Sequence, residues 1–149
     1  MIKLIDAYCT FPVIEKYKFF RLILFCFLTG NEDMHLKNFS LIRRKNKVEF
    51  SPAYDLLNST LAVGGEEEMA LMLVGKRKEF RCRDLIDYLG RERLELPGEA
   101  ILDLEKNLLN AYPEWQRLIQ ISFLENNGKE TYLQMLKERF HRLKWQTAK

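Results

Sequence analysis

With 149 residues and a mass of 17.8 kDa, the chain is the size of one ordinary domain, 1–149, built around one hydrophobic core. Apolar residues make up 47% and charged residues 30%, a globular balance that excludes a disordered tail, a collagen-like rod and a membrane protein. A formal charge of +3 and a pI near 8.7 are too mild to imply direct nucleic-acid binding through bulk electrostatics.

Cys9, Cys26 and Cys82 are odd in number, far apart and form no C-x-x-C pair. They imply neither a disulfide framework nor a zinc site, and the expected compartment is a reducing cytoplasm. The most apolar run, Leu22 to Leu28, is seven residues long, well short of the roughly 20 that cross a bilayer. It reads as core, and it lacks the flanks and cleavage site of a signal peptide.

In chain order, residues 2–7 carry a short helical pattern, and Pro12 opens a second helix over about 13–29 that Gly30 stops. The second half of that helix is apolar on all sides, as in a helix buried at the centre of a domain. Residues 31–38 are polar and offer little to a core, the composition of a functional loop. Residues 39–43 and 47–50 read as two strands joined by a turn at 44–46. Asp55 is placed to cap a short helix through 56–58. Gly64, Gly65 and the acidic run 66–68 mark an exposed loop. The apolar run 69–74 is read as a further short strand, although six residues do not separate strand from helix.

Beyond it the pattern is helical. Residues 84–89 form a helix ended by Gly90, and the next sets Ile101, Leu104, Leu108 and Ala111 on one face. Pro113 is expected to begin a separate helix carrying Trp115, Leu118, Ile119 and Ser122, which Asn126, Asn127 and Gly128 stop. The last helix, about 130–145, aligns Tyr132, Leu136, Phe140 and Leu143 in a packing stripe. The fold class is therefore mainly α with a small β-hairpin.

One segment is dense in chemically able side chains: Asp33, His35, Lys37 and Asn38 fall within six residues, and Asp55 follows one hairpin later. Hairpins return the chain to where they began, which brings Asp55 toward Asp33 and Asn38. Taken singly, Asp33 reads as a turn residue, His35 as a hydrogen-bonded structural histidine, Lys37 as a surface charge, Asn38 as a turn residue and Asp55 as a helix cap. Taken together they suit phosphoryl transfer, which needs a carboxylate to take the nucleophile's proton and oxygen ligands to hold magnesium on nucleotide phosphates. The five-residue step from Asp33 to Asn38 equals that between base and metal ligand in the kinase H-R-D-L-x-x-x-N loop. The clusters Arg43, Arg44, Lys45, Lys47 and Arg77, Lys78, Arg81, Arg83 read as solvated basic surface. Cys26 reads as a packing residue.

The full pattern is more specific than that spacing. Gly30-Asn31-Glu32-Asp33-Met34-His35-Leu36-Lys37-Asn38-Phe39-Ser40, followed by Pro52-Ala53-Tyr54-Asp55-Leu56-Leu57-Asn58-Ser59, closely resembles the HipA-like serine/threonine kinases of bacterial toxin–antitoxin modules. The preceding apolar helix and the run 69–76 extend the likeness over about residues 19–76. The resemblance implies a protein-kinase-like helical C-lobe with Asp33 as the catalytic proton acceptor and ATP and Mg2+ as cofactors. It implies that His35, Lys37 and Asn38 line the ATP phosphates, that Asn38 and Asp55 ligate magnesium, and that Tyr54 borders the nucleotide. It further implies three partners: a kinase N-lobe on the same or a separate chain, a HipB-like DNA-binding antitoxin, and a protein substrate of the aminoacyl-tRNA synthetase class.

No G-x-G-x-x-G, Walker-type loop or upstream sheet pattern accompanies the motif. The N-lobe is therefore expected to lie outside this chain, which alone would be a poor kinase. The alternative reading is a non-catalytic binding module that pairs with an antitoxin or a separate N-lobe. A polynucleotide-binding helical domain is a third reading and rests only on the basic runs.

Overall fold

The structure, a computed structural model, describes residues 1–64 and 67–145. Helices α1 (Ile2–Tyr8) and α2 (Pro12–Thr29) are followed by a single 3-10 turn, Leu36–Asn38, and by strands β1 (Leu41–Arg44) and β2 (Lys47–Phe50). Then come α3 (Ser59–Val63), a π-helix (Arg83–Arg93), α4 (Gly98–Ile121) and α5 (Asn126–Arg142).

α2 is the axis of the molecule and packs against α1, β2, the π-helix and α5. Pro12 occupies its first turn, where a missing N–H costs nothing. Phe19, Phe20, Ile23, Leu24, Phe27 and Leu28 are all buried on it. Gly30 ends it in the left-handed region, at φ 80°, with its N–H on the Cys26 carbonyl.

The hairpin pairs Leu41 with Phe50 and Arg44 with Lys47, so the turn contains only Lys45 and Asn46, with Lys45 at φ 54°. Strand pairing begins two residues later than the composition predicts because Phe39 is drawn inward instead. Its ring meets Phe19 edge-on at 5.3 Å and lies 6.1 Å from Phe50. The outer edge of β2 is closed by the α1–α2 connection. Thr10 exchanges hydrogen bonds with Val48, and the buried Glu15 carboxylate accepts the Phe50 N–H at 2.8 Å.

Several expected boundaries move. Residues 56–58 are not helical; Asn58, rather than Asp55, caps the helix that follows, its Oδ1 accepting the Leu61 N–H at 2.9 Å. The run 69–74 forms no strand beyond an isolated Leu73–Lys76 bridge. Gly90 lies inside the π-helix rather than ending it: an added Cβ would stand 2.8 Å from the Phe20 ring, so the glycine serves close packing. Pro113 is internal to one continuous α4, and Asn126 begins α5 rather than closing its predecessor. Within the expected acidic loop, Gly65 and Glu66 lie outside the described residues, while Glu68 is half-buried and paired with Arg142 at 2.7 Å.

The expected stripes are otherwise present: Ile101, Leu104, Leu108, Leu136, Phe140 and Leu143 are buried. Cys26 is buried in apolar surroundings that push its thiol up to about 12, and all three cysteines are free. Among the described residues no helix is long and apolar enough to cross a membrane.

Candidate active site

The segment after α2 is held by anchors that alternate with exposed side chains. Gly30 and Asn31 both give their N–H to the Cys26 carbonyl, which completes the helix end. The Glu32 N–H donates to Ser59 Oγ at 2.7 Å, and the Glu32 carboxylate accepts the Thr60 hydroxyl at 2.7 Å. Met34 and Phe39 are buried, and the short turn between them leaves His35, Leu36 and Lys37 facing solvent. This is why a chain with apolar residues at 34 and 39 presents its polar ones outward: two buried side chains pin an arc too short to do otherwise.

Within that arc, Asn38 Nδ2 donates to the Asp33 carbonyl at 2.6 Å. One of the two amide N–H groups is thereby used, and Oδ1, the acceptor of the amide, is the atom suited to a metal ion. His35 Nε2 stands 3.5 Å from Asp33 Oδ1, an ion pair when the imidazole is protonated, with both side chains about half exposed.

Asp55 has φ 52°, an uncommon left-handed conformation for a residue with a side chain. Its carbonyl accepts Asn31 Nδ2 at 3.1 Å, and Asn31 Oδ1 accepts the Asp33 N–H at 3.0 Å. The structure therefore gathers Asp33, His35 and Asn38 in one turn and fastens Asp55 to it through one buried amide. Lys37 and Tyr54 are exposed and, among the described residues, make no hydrogen bond or ion pair with the other four.

The residues that hold this arrangement are Asn31, Glu32, Ser59 and Thr60; the first three lie inside the motif quoted above, but the sequence assigns none of the four a part in the site. Beyond its place in the motif, Asn31 carries a signal of its own, a polar residue directly after a helix-ending glycine on a helix buried at its far end.

Among the described residues no three of His, Cys, Asp and Glu converge as a metal cluster. The donors on offer for a metal are the Asn38 amide oxygen and the Asp55 carboxylate. An all-oxygen pair of this kind fits Mg2+, which keeps several waters and is bound by one or two protein oxygens together with substrate phosphates.

Residues 1–123 match the family model of the HipA-like C-terminal domain. The chain belongs to that family. A kinase-named protein of Sinorhizobium fredii (strain NBRC 101917 / NGR234), Y4dM, is 47% identical over 97 residues, which are 64% of this chain and 24% of that protein. The serine/threonine-protein kinase toxin HipA of Shewanella oneidensis is 34% identical over 67 residues, 45% of this chain and 16% of its own length. A chain in the complex of Shewanella oneidensis HipA and HipB with operator DNA superposes with a TM-score of 0.71 at 22% identity, over 97% of this chain and 35% of that one. The mainly helical architecture with one antiparallel hairpin is thus a HipA-like fold, and this HipA-like domain spans about a quarter or less of these two curated relatives.

Proposed function

We propose that this HipA-like domain is the kinase C-lobe of a serine/threonine protein kinase and supplies its catalytic loop and magnesium ligands. The observation that carries the reading is the meeting of the two halves of the motif, Asp33 with Asn38 and Asp55, at the end of α2. In this reading Asp33 accepts the proton of the substrate serine or threonine hydroxyl as it attacks the γ-phosphate of ATP. His35 orients Asp33 and, with Lys37, contacts the phosphates; Tyr54 borders the nucleotide. Asn38 Oδ1 and the Asp55 carboxylate would hold Mg2+, which when bound would supply positive charge against the transferred phosphoryl group.

Positioning dominates phosphoryl transfer, and Asp33 and His35 stand on open surface here. The opposite wall of the nucleotide site therefore belongs to an N-lobe outside these 149 residues, on the same chain or a separate one. The family likeness supports a HipB-like antitoxin as partner and a protein substrate of the aminoacyl-tRNA synthetase class, acted on in the cytoplasm. In the complete kinase with its N-lobe, Asp33→Asn is expected to lower the phosphotransfer rate by at least about 100-fold, the scale of a lost general base. Undiminished transfer by that variant would sink the assignment.

A second reading, a non-catalytic module that binds an antitoxin or N-lobe, draws on the exposed apolar side chains Leu4, Tyr8, Phe11, Val13 and Ile14 around the α1–α2 corner. Calorimetry with Mg-ATP separates the two. Absence of nucleotide binding even with the upstream partner present favours the module.

A further inference from the structure

We propose that Asn31 is a positioning residue that fixes the proton-accepting loop and the downstream metal-ligand loop relative to one another, an inference that rests on the kinase reading. Three observations carry it. Asn31 is 4% exposed, so its polar atoms are out of water and must be satisfied within the protein. Its backbone N–H is already spent on the Cys26 carbonyl, so closing α2 does not require the side chain. The two ends of the side chain go to different segments: Oδ1 takes the Asp33 N–H at 3.0 Å and Nδ2 donates to the Asp55 carbonyl at 3.1 Å.

Only a primary amide of this length does both. Aspartate keeps the acceptor and loses the donor, glutamine moves the amide one carbon outward, and serine reaches one segment at most. The Asp55 bond has a particular purpose, because Asp55 occupies the left-handed region at φ 52°. Aspartate tolerates that region better than most residues with a side chain but still at some cost, and the Asn31 amide is a hydrogen bond to the carbonyl of the residue held there. Further along, Ser59 and Thr60 bond to Gly30 and Glu32, so the 55–60 stretch is tied to the 30–33 stretch through Asp55, Ser59 and Thr60. Of these ties, the Asn31 side chain alone reaches the backbone of both proposed site aspartates. It touches neither ATP nor the reacting atoms; it acts through Asp33 and Asp55.

The test uses the intact 149-residue chain, isotope-labelled for NMR, with Mn2+ as the metal probe, and compares wild type with Asn31→Ala and Asn31→Asp. In wild type the Asn31 side-chain amide protons are expected to exchange at least about tenfold more slowly than those of exposed Asn126 and Asn127, and Mn2+ to broaden the 33–38 and 55 signals at one common concentration. Asn31→Ala is expected to speed Asp33 N–H exchange about tenfold and to raise the Mn2+ concentration needed by about tenfold or more, the usual cost of removing a residue that orients metal ligands. Asn31→Asp is expected to keep Asp33 protected while the Asp55 signals shift. A merely structural asparagine would lower the melting temperature and leave the Mn2+ titration unmoved. The proposal is overturned by wild-type Asp33 exchange and an unchanged Mn2+ titration in Asn31→Ala, or by freely exchanging Asn31 amide protons in wild type, a measurement that needs no variant to fold. Failure of the kinase reading looks different: wild type shows no broadening at Asn38 or Asp55 at millimolar Mn2+, while the exchange data still decide whether the clamp exists.

Discussion

Gly30 answers to two constraints at once. Its φ of 80° disfavours any side chain, and an added Cβ would lie 2.8 Å from both Asn58 Oδ1 and Met135 Cε. Gly64 shares only the first constraint: at φ 68°, nothing stands within 4 Å of a Cβ there. Gly64→Ala is therefore expected to cost about 1 kcal/mol, the penalty of the left-handed conformation. Gly30→Ala should cost about 2–4 kcal/mol, because overpacking adds to that penalty. Urea unfolding of the two variants side by side checks the difference. Asp84 is a second residue whose surroundings set its behaviour. Burial, the largest influence, pushes its carboxyl up. The Lys76 ammonium at 2.7 Å, the Arg81 N–H at 2.8 Å and the Arg83 charge together outweigh burial and hold it below the usual carboxylate range. Because the folded value lies below the unfolded one, the stabilisation is complete above the unfolded pKa of about 4 and drains away as pH falls through the folded value. Unfolding free energies measured from neutral pH downward should fall on acidification in wild type and fall less steeply in Asp84→Asn.

At the scale of elements, α4 shows a helix winning against its own sequence. Pro113 removes one N–H from the middle of twenty-four residues, yet the helix continues because Leu108, Tyr112 and Ile119 are all buried by it and the Pro113 ring itself is exposed. Pro113→Ala restores a hydrogen bond and is expected to stabilise the protein by about 1–3 kcal/mol in chemical denaturation; a destabilised variant would mean that the proline shapes the packing of α4. The same element explains what local pattern could and could not reveal. A proline reads equally as a helix start or as a tolerated interruption, and only burial on both sides decides. The run 69–74 likewise had strand composition without a strand to pair with. By contrast α2 and the hairpin were legible, since an apolar helix closed by glycine and two short runs around Lys45-Asn46 carry their signals locally. What the pattern omitted there was Glu15, a charge buried on α2 because β2 needs an acceptor for the Phe50 N–H. Glu15→Ala is expected to cost about 1–3 kcal/mol by orphaning that N–H and to outweigh Glu15→Gln, which keeps an oxygen; thermal melts of the pair test it.

For the molecule as a whole, the candidate residues of the site are legible in the sequence, while the contacts that support them are not. Asp33, Asn38 and Asp55 stand at recognisable spacing, whereas the partners of Gly30 and Glu32 lie 27 to 30 residues away and reveal themselves only by contact. Arg139 is the extreme case. A surface charge by composition, it is buried, donates to the Phe27 carbonyl and lies over the Phe27 ring at 5.4 Å. One turn away, Arg142 binds Glu68 at 2.7 Å and reaches the Phe80 carbonyl at 3.4 Å. With Met135 seated against Gly30, α5 thus touches the end of α2, the residues that follow the candidate site and the approach to the π-helix. This arrangement sets an order of events during synthesis. The segments that bear Asp33 and Asp55 leave the ribosome while α5 is still unmade, and the α5 side chains that pack on the end of α2 and on Glu68 follow them. A nascent chain short of Arg142 lacks those contacts, so truncation before that residue is expected to loosen the end of α2 and the 68–80 stretch together.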